Sequence, residues 1–190
     1  MKKFMPIVAI LLSTLLIAAL PTENEAAIYE DTVRLHILAN SDSEEDQALK
    51  LKIRDAVLRG FKDELSELDS AEDAEKKLAT LIPRICEVAE AVVKKEGYDY
   101  AISVSLGEEW FDTREYEGFT LPRGLYDSLI IRVGRAEGKN WWCVMFPPLC
   151  LDIASQTDSG YTDEETRLIK TSRYNIKFKI LELVSEAVGR

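Results

Sequence analysis

Two runs of apolar residues at helical spacing, one directly after the other, constrain the fold of this chain more than any other feature. Leu49, Ile53, Val57, Phe61 and Leu65 recur every four residues, which places them along one stripe of a helix. Ala74, Leu78, Leu81, Ile85, Val88 and Val92 form a second stripe within a helix expected from about Ala71 to Lys95. The link between the two is short and acidic, so they pack as an antiparallel helical hairpin. Pro83 falls inside the second run and is expected to kink it or split it. The polar stretch NSDSEED precedes the first run. In it Ser41 with Glu44, and Ser43 with Asp46, fit capping pairs, and acidic residues suit the first turn of a helix.

Two apolar stripes need a surface to bury against, and the rest of the chain supplies strands. Thr32 to Ala39 alternates, with Val33, Leu35, Ile37 and Ala39 on one face and Thr32, Arg34, His36 and Leu38 on the other. Tyr100, Ile102, Val104 and Leu106 alternate in the same way, and a Gly107 turn is expected before a second strand over Trp110 to Tyr116. Glu117-Gly118 marks another break. Leu129 to Arg135 and Trp141 to Phe146 read as a pair joined through AEGKN as a hairpin turn, and Pro147-Pro148 stops the last strand. The expected class is α+β: a helical hairpin on one face of a mostly antiparallel sheet, with a further helix at the C-terminus.

The ends of the chain have a different character. Lys2 and Lys3 precede a charge-free stretch from Phe4 to Leu20, which is the order of a secretory signal. Residues 1–27 are therefore expected to be a signal peptide, or an uncleaved anchor, since no clean small-x-small cleavage site follows. Residues 28–154 form the α+β domain. Residues 155–190 form a polar linker (SQTDSGYTDEE) and an amphipathic helix carrying Arg167, Lys170, Arg173, Lys177 and Lys179. That basic cluster fits either a solvated face or contact with a membrane surface. The chain of 190 residues has a net charge of −10, which disfavours nucleic acid as a partner.

Few residues carry chemistry on their own. His36 is the single histidine, so a Ser-His-Asp reading would have to use it with Ser41 and Asp42 nearby. That arrangement, the abundant carboxylates and an exported location keep a hydrolase acting on cell wall or peptide as the alternative function. No ligand spacing asks for a metal, and no cofactor or small-molecule substrate is expected. The three cysteines are Cys86, Cys143 and Cys150. Cys143 and Cys150 bracket CVMFPPLC, where the prolines bend the chain, so they can form a disulfide or remain small buried side chains. Trp141 and Trp142 are adjacent, so on a strand they face opposite sides of the sheet. One fills the core. The other is either exposed as a partner anchor or lies beneath the C-terminal helix.

Two stretches taken together resemble a known family. RLHILANSDSEEDQALKLKIRDAV, from Arg34 to Val57, and FTLPRGLYDSLIIRVGRAEGKNWWCVMFPPLCLD, from Phe119 to Asp152, are similar to the two signatures of stage II sporulation protein R. The resemblance implies a signalling protein, not an enzyme, exported from the forespore of an endospore-forming bacterium into the space between forespore and mother cell. There it would activate a membrane-embedded aspartic protease of the mother cell, which then processes a pro-sigma factor. The partner surface is expected to include His36, Asn40, Ser41, Asp42, Asp46 and Gln47 from the polar turn, although Asn40 and Asp42 fit turn and cap formation better than contact. Trp141, Trp142 and Phe146 are its apolar candidates.

Overall fold

The computed structural model describes residues 23–116 and 119–147, together with Ser13. The apolar leader, Cys150, the polar linker and the C-terminal amphipathic segment lie outside the described residues.

The elements follow in the order α1 (Glu23–Glu30), β1 (Val33–Leu38), α2 (Glu44–Ser66), α3 (Ala71–Lys95), β2 (Ile102–Phe111), β3 (Arg114–Tyr116), β4 (Phe119–Leu121), β5 (Gly124–Val133) and β6 (Asn140–Phe146). The fold is α+β, as expected. Ser43 caps α2 by accepting from the Asp46 N–H, and Ser70 caps α3 by accepting from the Asp73 N–H. Each satisfies a donor that the first turn of a helix leaves open. Pro83 lies inside α3, which continues unbroken through it. The apolar residues on both sides of Pro83, Leu78, Leu81 and Ile85, are buried. This burial holds the helix together across the one backbone hydrogen bond that proline cannot donate.

One core lies between the helical hairpin and the sheet. It joins Leu49, Ile53, Val57, Phe61 and Leu65 of α2, and Leu78, Leu81 and Ile85 of α3, to Leu35 and Ile37 of β1 and Leu129 and Ile131 of β5. Towards the end of α3 the fully buried positions are Ala89 and Val93, while Val88 and Val92 are only partly buried.

The sheet departs from the expected connections in two places. Its order is β2-β5-β1-β6. β1 runs parallel to β5 and antiparallel to β6, so β5 and β6 do not form a hairpin; β1 lies between them. The turn AEGKN is therefore part of an arch that crosses the end of β1. Such an arch spans about 10 Å, twice the usual strand spacing. The physical reason is the apolar face of β1: Val33, Leu35 and Ile37 are buried completely only at the centre of a sheet. In addition, no turn occurs at Gly107. β2 continues through it as one ten-residue strand, with Gly107 opposite Ser128 of β5. The chain bends only after Phe111, before the small β3–β4 pair.

The second face of the sheet is polar and aromatic. Arg34 and His36 of β1 project there, with Phe111 of β2, Tyr126 and Ser128 of β5 and Trp142 of β6. α1 covers one end of it: Ile28 is buried, and Tyr29 packs edge-on against Tyr126 with ring centroids 5.0 Å apart. α1 runs across residue 27, and Ile28, where the domain is expected to begin, is buried.

Candidate functional site

The loop leaving β1 is built into the arch between β5 and β6. The Asn40 carboxamide accepts from the Arg135 backbone N–H at 3.1 Å, and its amide donates to Asp46 at 2.8 Å. The Asn40 carbonyl accepts from the Glu137 N–H, and the Ala39 carbonyl from the Gly138 N–H. The Asp42 carboxylate accepts from the Lys139 N–H at 2.6 Å. Ser41 donates to Asp46 at 2.5 Å, and Gln47 donates to the Ser41 carbonyl at 2.9 Å. The Lys50 ammonium donates to Gln47 and to the Lys139 carbonyl. An arch over an interposed strand has no ladder partner for its own amides, and these side chains replace it.

Asp46 is the hub of this clamp and is only 4% exposed. Burial opposes its charge, but hydrogen bonds from Ser41, Asn40 and Tyr100, together with the Arg135 charge, outweigh it. The carboxyl is held below its ordinary range. Burial also pushes the Lys50 ammonium down, against the opposing pull of Asp42. The arch has its own requirements. Gly134 adopts a positive φ of 58° against Asn40, and a Cβ on Gly138 would overlap the Ser41 carbonyl.

A second cluster lies on the polar face. His36 is 4% exposed, and its Nδ1–H donates to the Glu109 carboxylate. Its ring stacks on Trp142 at 4.0 Å with an interplanar angle of 15°. His36 Nε2 is buried with no hydrogen-bond partner among the described residues. Trp142 also meets Phe111 edge-on at 4.5 Å. Alongside, the fully buried Arg34 guanidinium lies 4.0 Å from the centroid of the Phe111 ring and donates to the Tyr116 hydroxyl at 2.6 Å. Burial raises the pKa of that phenol, with the Arg34 charge opposing.

The nine expected contact residues therefore fall into three places. Asn40, Ser41, Asp42, Asp46 and Gln47 form the clamp. His36 and Trp142 form the aromatic layer. Trp141 lies on the helical face, packed against the core beneath the Arg54 guanidinium at 4.5 Å, and Phe146 is a core residue at 4% exposure. Ser41 and Asp42 bond to Asp46 and Lys139 and not to His36, so the sequence neighbours of the histidine do not build a triad with it. The partner of His36 is Glu109, seventy-three residues away. Its one sequence signal was the doublet Glu108-Glu109, which reads as ordinary surface charge in so acidic a chain. Cys86 is a free thiol and Cys143 is in a disulfide; its expected partner, Cys150, lies outside the described residues. Among the described residues, no cluster of three or more His, Cys, Asp or Glu side chains could hold a metal ion. No described helix is long and apolar enough to cross a membrane.

The clamp fastens the loop after β1 to the arch before β6, which are the two stretches that carry the resemblance. The sequence model of stage II sporulation protein R matches residues 29–156. The chain belongs to the stage II sporulation protein R family. It is 40% identical over 136 residues to the Stage II sporulation protein R of Bacillus subtilis (strain 168), an alignment covering 70% of this chain. It spans 61% of that relative's length. No solved structure matches it. The family match starts beside the buried Ile28 and includes both the clamp and the His36 layer.

Proposed function

We propose that this protein is an intercellular signal of endospore formation and not an enzyme. In this reading it is secreted across the forespore membrane into the space between forespore and mother cell. There it binds a membrane-embedded aspartic protease of the mother cell, and the activated protease removes the pro-segment of a sigma factor. Family membership over residues 29–156 carries the reading. The charge-free leader from Phe4 to Leu20 is what export requires.

Activation by binding demands that the protein bind the active protease better than the inactive one. A shift from mostly off to mostly on takes about 5.5 kcal/mol of such preference. A rigid surface suits this task, because little binding energy is lost to ordering it. The clamp, which ties the loop after β1 to the arch through four hydrogen bonds and α2 to it through a fifth from Lys50, supplies rigidity of that kind.

The experiment is co-expression of the full chain with the protease and its pro-sigma substrate in a non-sporulating bacterium. Cleavage that requires both proteins supports direct activation. Cleavage that ignores the presence of this chain removes the proposal. The hydrolase reading has its own test, a His36→Phe chain, which keeps the stack on Trp142 but holds no base. Retained activation by that variant excludes a histidine-dependent reaction.

A further inference from the structure

The described surface has one place where large apolar side chains are about half exposed, with the Arg123 guanidinium 5.4 Å from the Trp110 ring centroid, and it lies outside the clamp and the histidine layer. Trp110 is 55% exposed and Leu125 is 48% exposed. They are direct cross-strand partners on β2 and β5. The next pair on the same face of the sheet is Glu108 opposite Asp127. Towards Ile102 this face is covered by the helical hairpin, and Ile102, Val104 and Leu106 are partly buried against the core. Beyond Leu106 the cover ends, and Gly107, Glu108 and Trp110 are all exposed.

Two physical features mark this end of the sheet. Like charges directly opposite each other on neighbouring strands repel, and Glu108 and Asp127 form such a pair with no ion-pair partner among the described residues. β2 is also an edge strand, ten residues long, and no described strand pairs with its outer side. An open edge with exposed apolar side chains is a template for strand addition. The carboxylates restrict what can be added. A second copy would bring further acidic pairs against these in a chain of net charge −10. A segment bearing lysine or arginine would neutralise them.

We infer that the outer edge of β2, with Trp110 and Leu125 as apolar anchors and Glu108 and Asp127 as charge selectors, docks an extended segment of another protein that carries a basic residue next to apolar ones. This rests on the signalling reading and locates its contact surface. Trp110 and Leu125 anchor the added segment in the apolar contact. Glu108 and Asp127 take the cation, and the β2 backbone takes the hydrogen bonds.

The test uses an endospore-forming host in which the chain's own gene is deleted and full-length variants are returned. The Trp110→Ala/Leu125→Ala and Glu108→Lys/Asp127→Lys pairs should each lower pro-sigma processing at least tenfold. Their secreted amounts and melting temperatures should match the parent's. Glu75→Lys, an exposed charge on α3, should leave processing unchanged. Parental processing with either pair overturns the surface. A photo-crosslinking residue in place of Trp110 or of Ser103 should capture the same lysine- or arginine-bearing segment of another protein. Adducts within the chain, or to a second copy, overturn it as well. Processing that continues in the deletion strain without any returned gene defeats the signalling reading instead, and the crosslinks alone then decide the surface.

Discussion

Asp46 shows how a residue that looks like an exposed contact can be a structural hub. It accepts from Asn40 and Ser41 while buried, so its removal leaves two donors without an acceptor. Asp46→Ala should lower unfolding free energy by about 2–3 kcal/mol, the cost of stranded buried polar groups, measurable by urea denaturation at pH 7. The pH dependence follows from the sign of the shift. The folded pKa lies below the unfolded value, so the folded state binds fewer protons. Its contribution is complete above about pH 4, the ordinary carboxylate value, and is lost as pH falls through the lower folded pKa. The stability gap between the parent and Asp46→Asn should therefore shrink below pH 4 in urea titrations. Trp142 makes the matching case on the other face. Replacing it by Ala exposes His36 and Phe111, and should cost about 2–4 kcal/mol. Any loss of signalling in that variant must be judged against its melting temperature. If Trp142→Ala melts like the parent, the ring is a partner anchor and not a packing element.

At the level of elements, the arch between β5 and β6 is the most demanding part of the chain. It must cross β1, and it relies on Asn40 and Asp42 for its amides. Gly138 is required because the Ser41 carbonyl occupies the space a side chain would need. Gly138→Ala should destabilise by about 1–3 kcal/mol, as overpacking does. The same substitution at Gly60, where a Cβ meets nothing, should be neutral or mildly stabilising, because glycine is a poor helix former. Thermal melts of the two variants side by side check this contrast. The helices were legible in detail, since a 3.6-residue period over more than twenty residues leaves few alternatives. The pairing of strands was not. Leu129–Arg135 and Trp141–Phe146 are adjacent in sequence and joined by a turn-like stretch, and local signals favour a hairpin. The burial of both β1 neighbours overrides that preference, and it is a non-local term.

Across the whole molecule, the two sheet faces have different jobs. The helical face carries the apolar core. The other carries Arg34, His36 and Trp142, with Arg34 donating to Tyr116 of β3 and the Arg114 guanidinium 5.8 Å from the Trp142 ring centroid. Covalent linkage adds to this frame. With Cys86 free and Cys143 bridged, the denatured, unreduced protein should show one maleimide-reactive thiol, rising to three after reduction. Reduction should lower stability by about 2 kcal/mol, the loop-entropy value for a bridge of short span. Three reactive thiols before reduction would refute the bridge.

Local signals along the chain carried the α+β class, both long helices, the Ser43 cap of α2 (though not the Ser41–Glu44 pair, since Ser41 bonds Asp46 instead), the five-residue stripe of α2 and the two signatures of the family. These are properties of local periodicity and of residue identity, and both survive in a linear string. Long-range strand pairing settled that β1 separates β5 from β6, that Asn40 and Asp42 close the resulting arch, that Glu109 is the partner of His36, and that Trp110 and Leu125 stand half exposed at the end of the sheet. Each of these depends on which distant strand lies alongside, and that choice is made by burying the apolar face of β1, a global energy that no short window of residues contains.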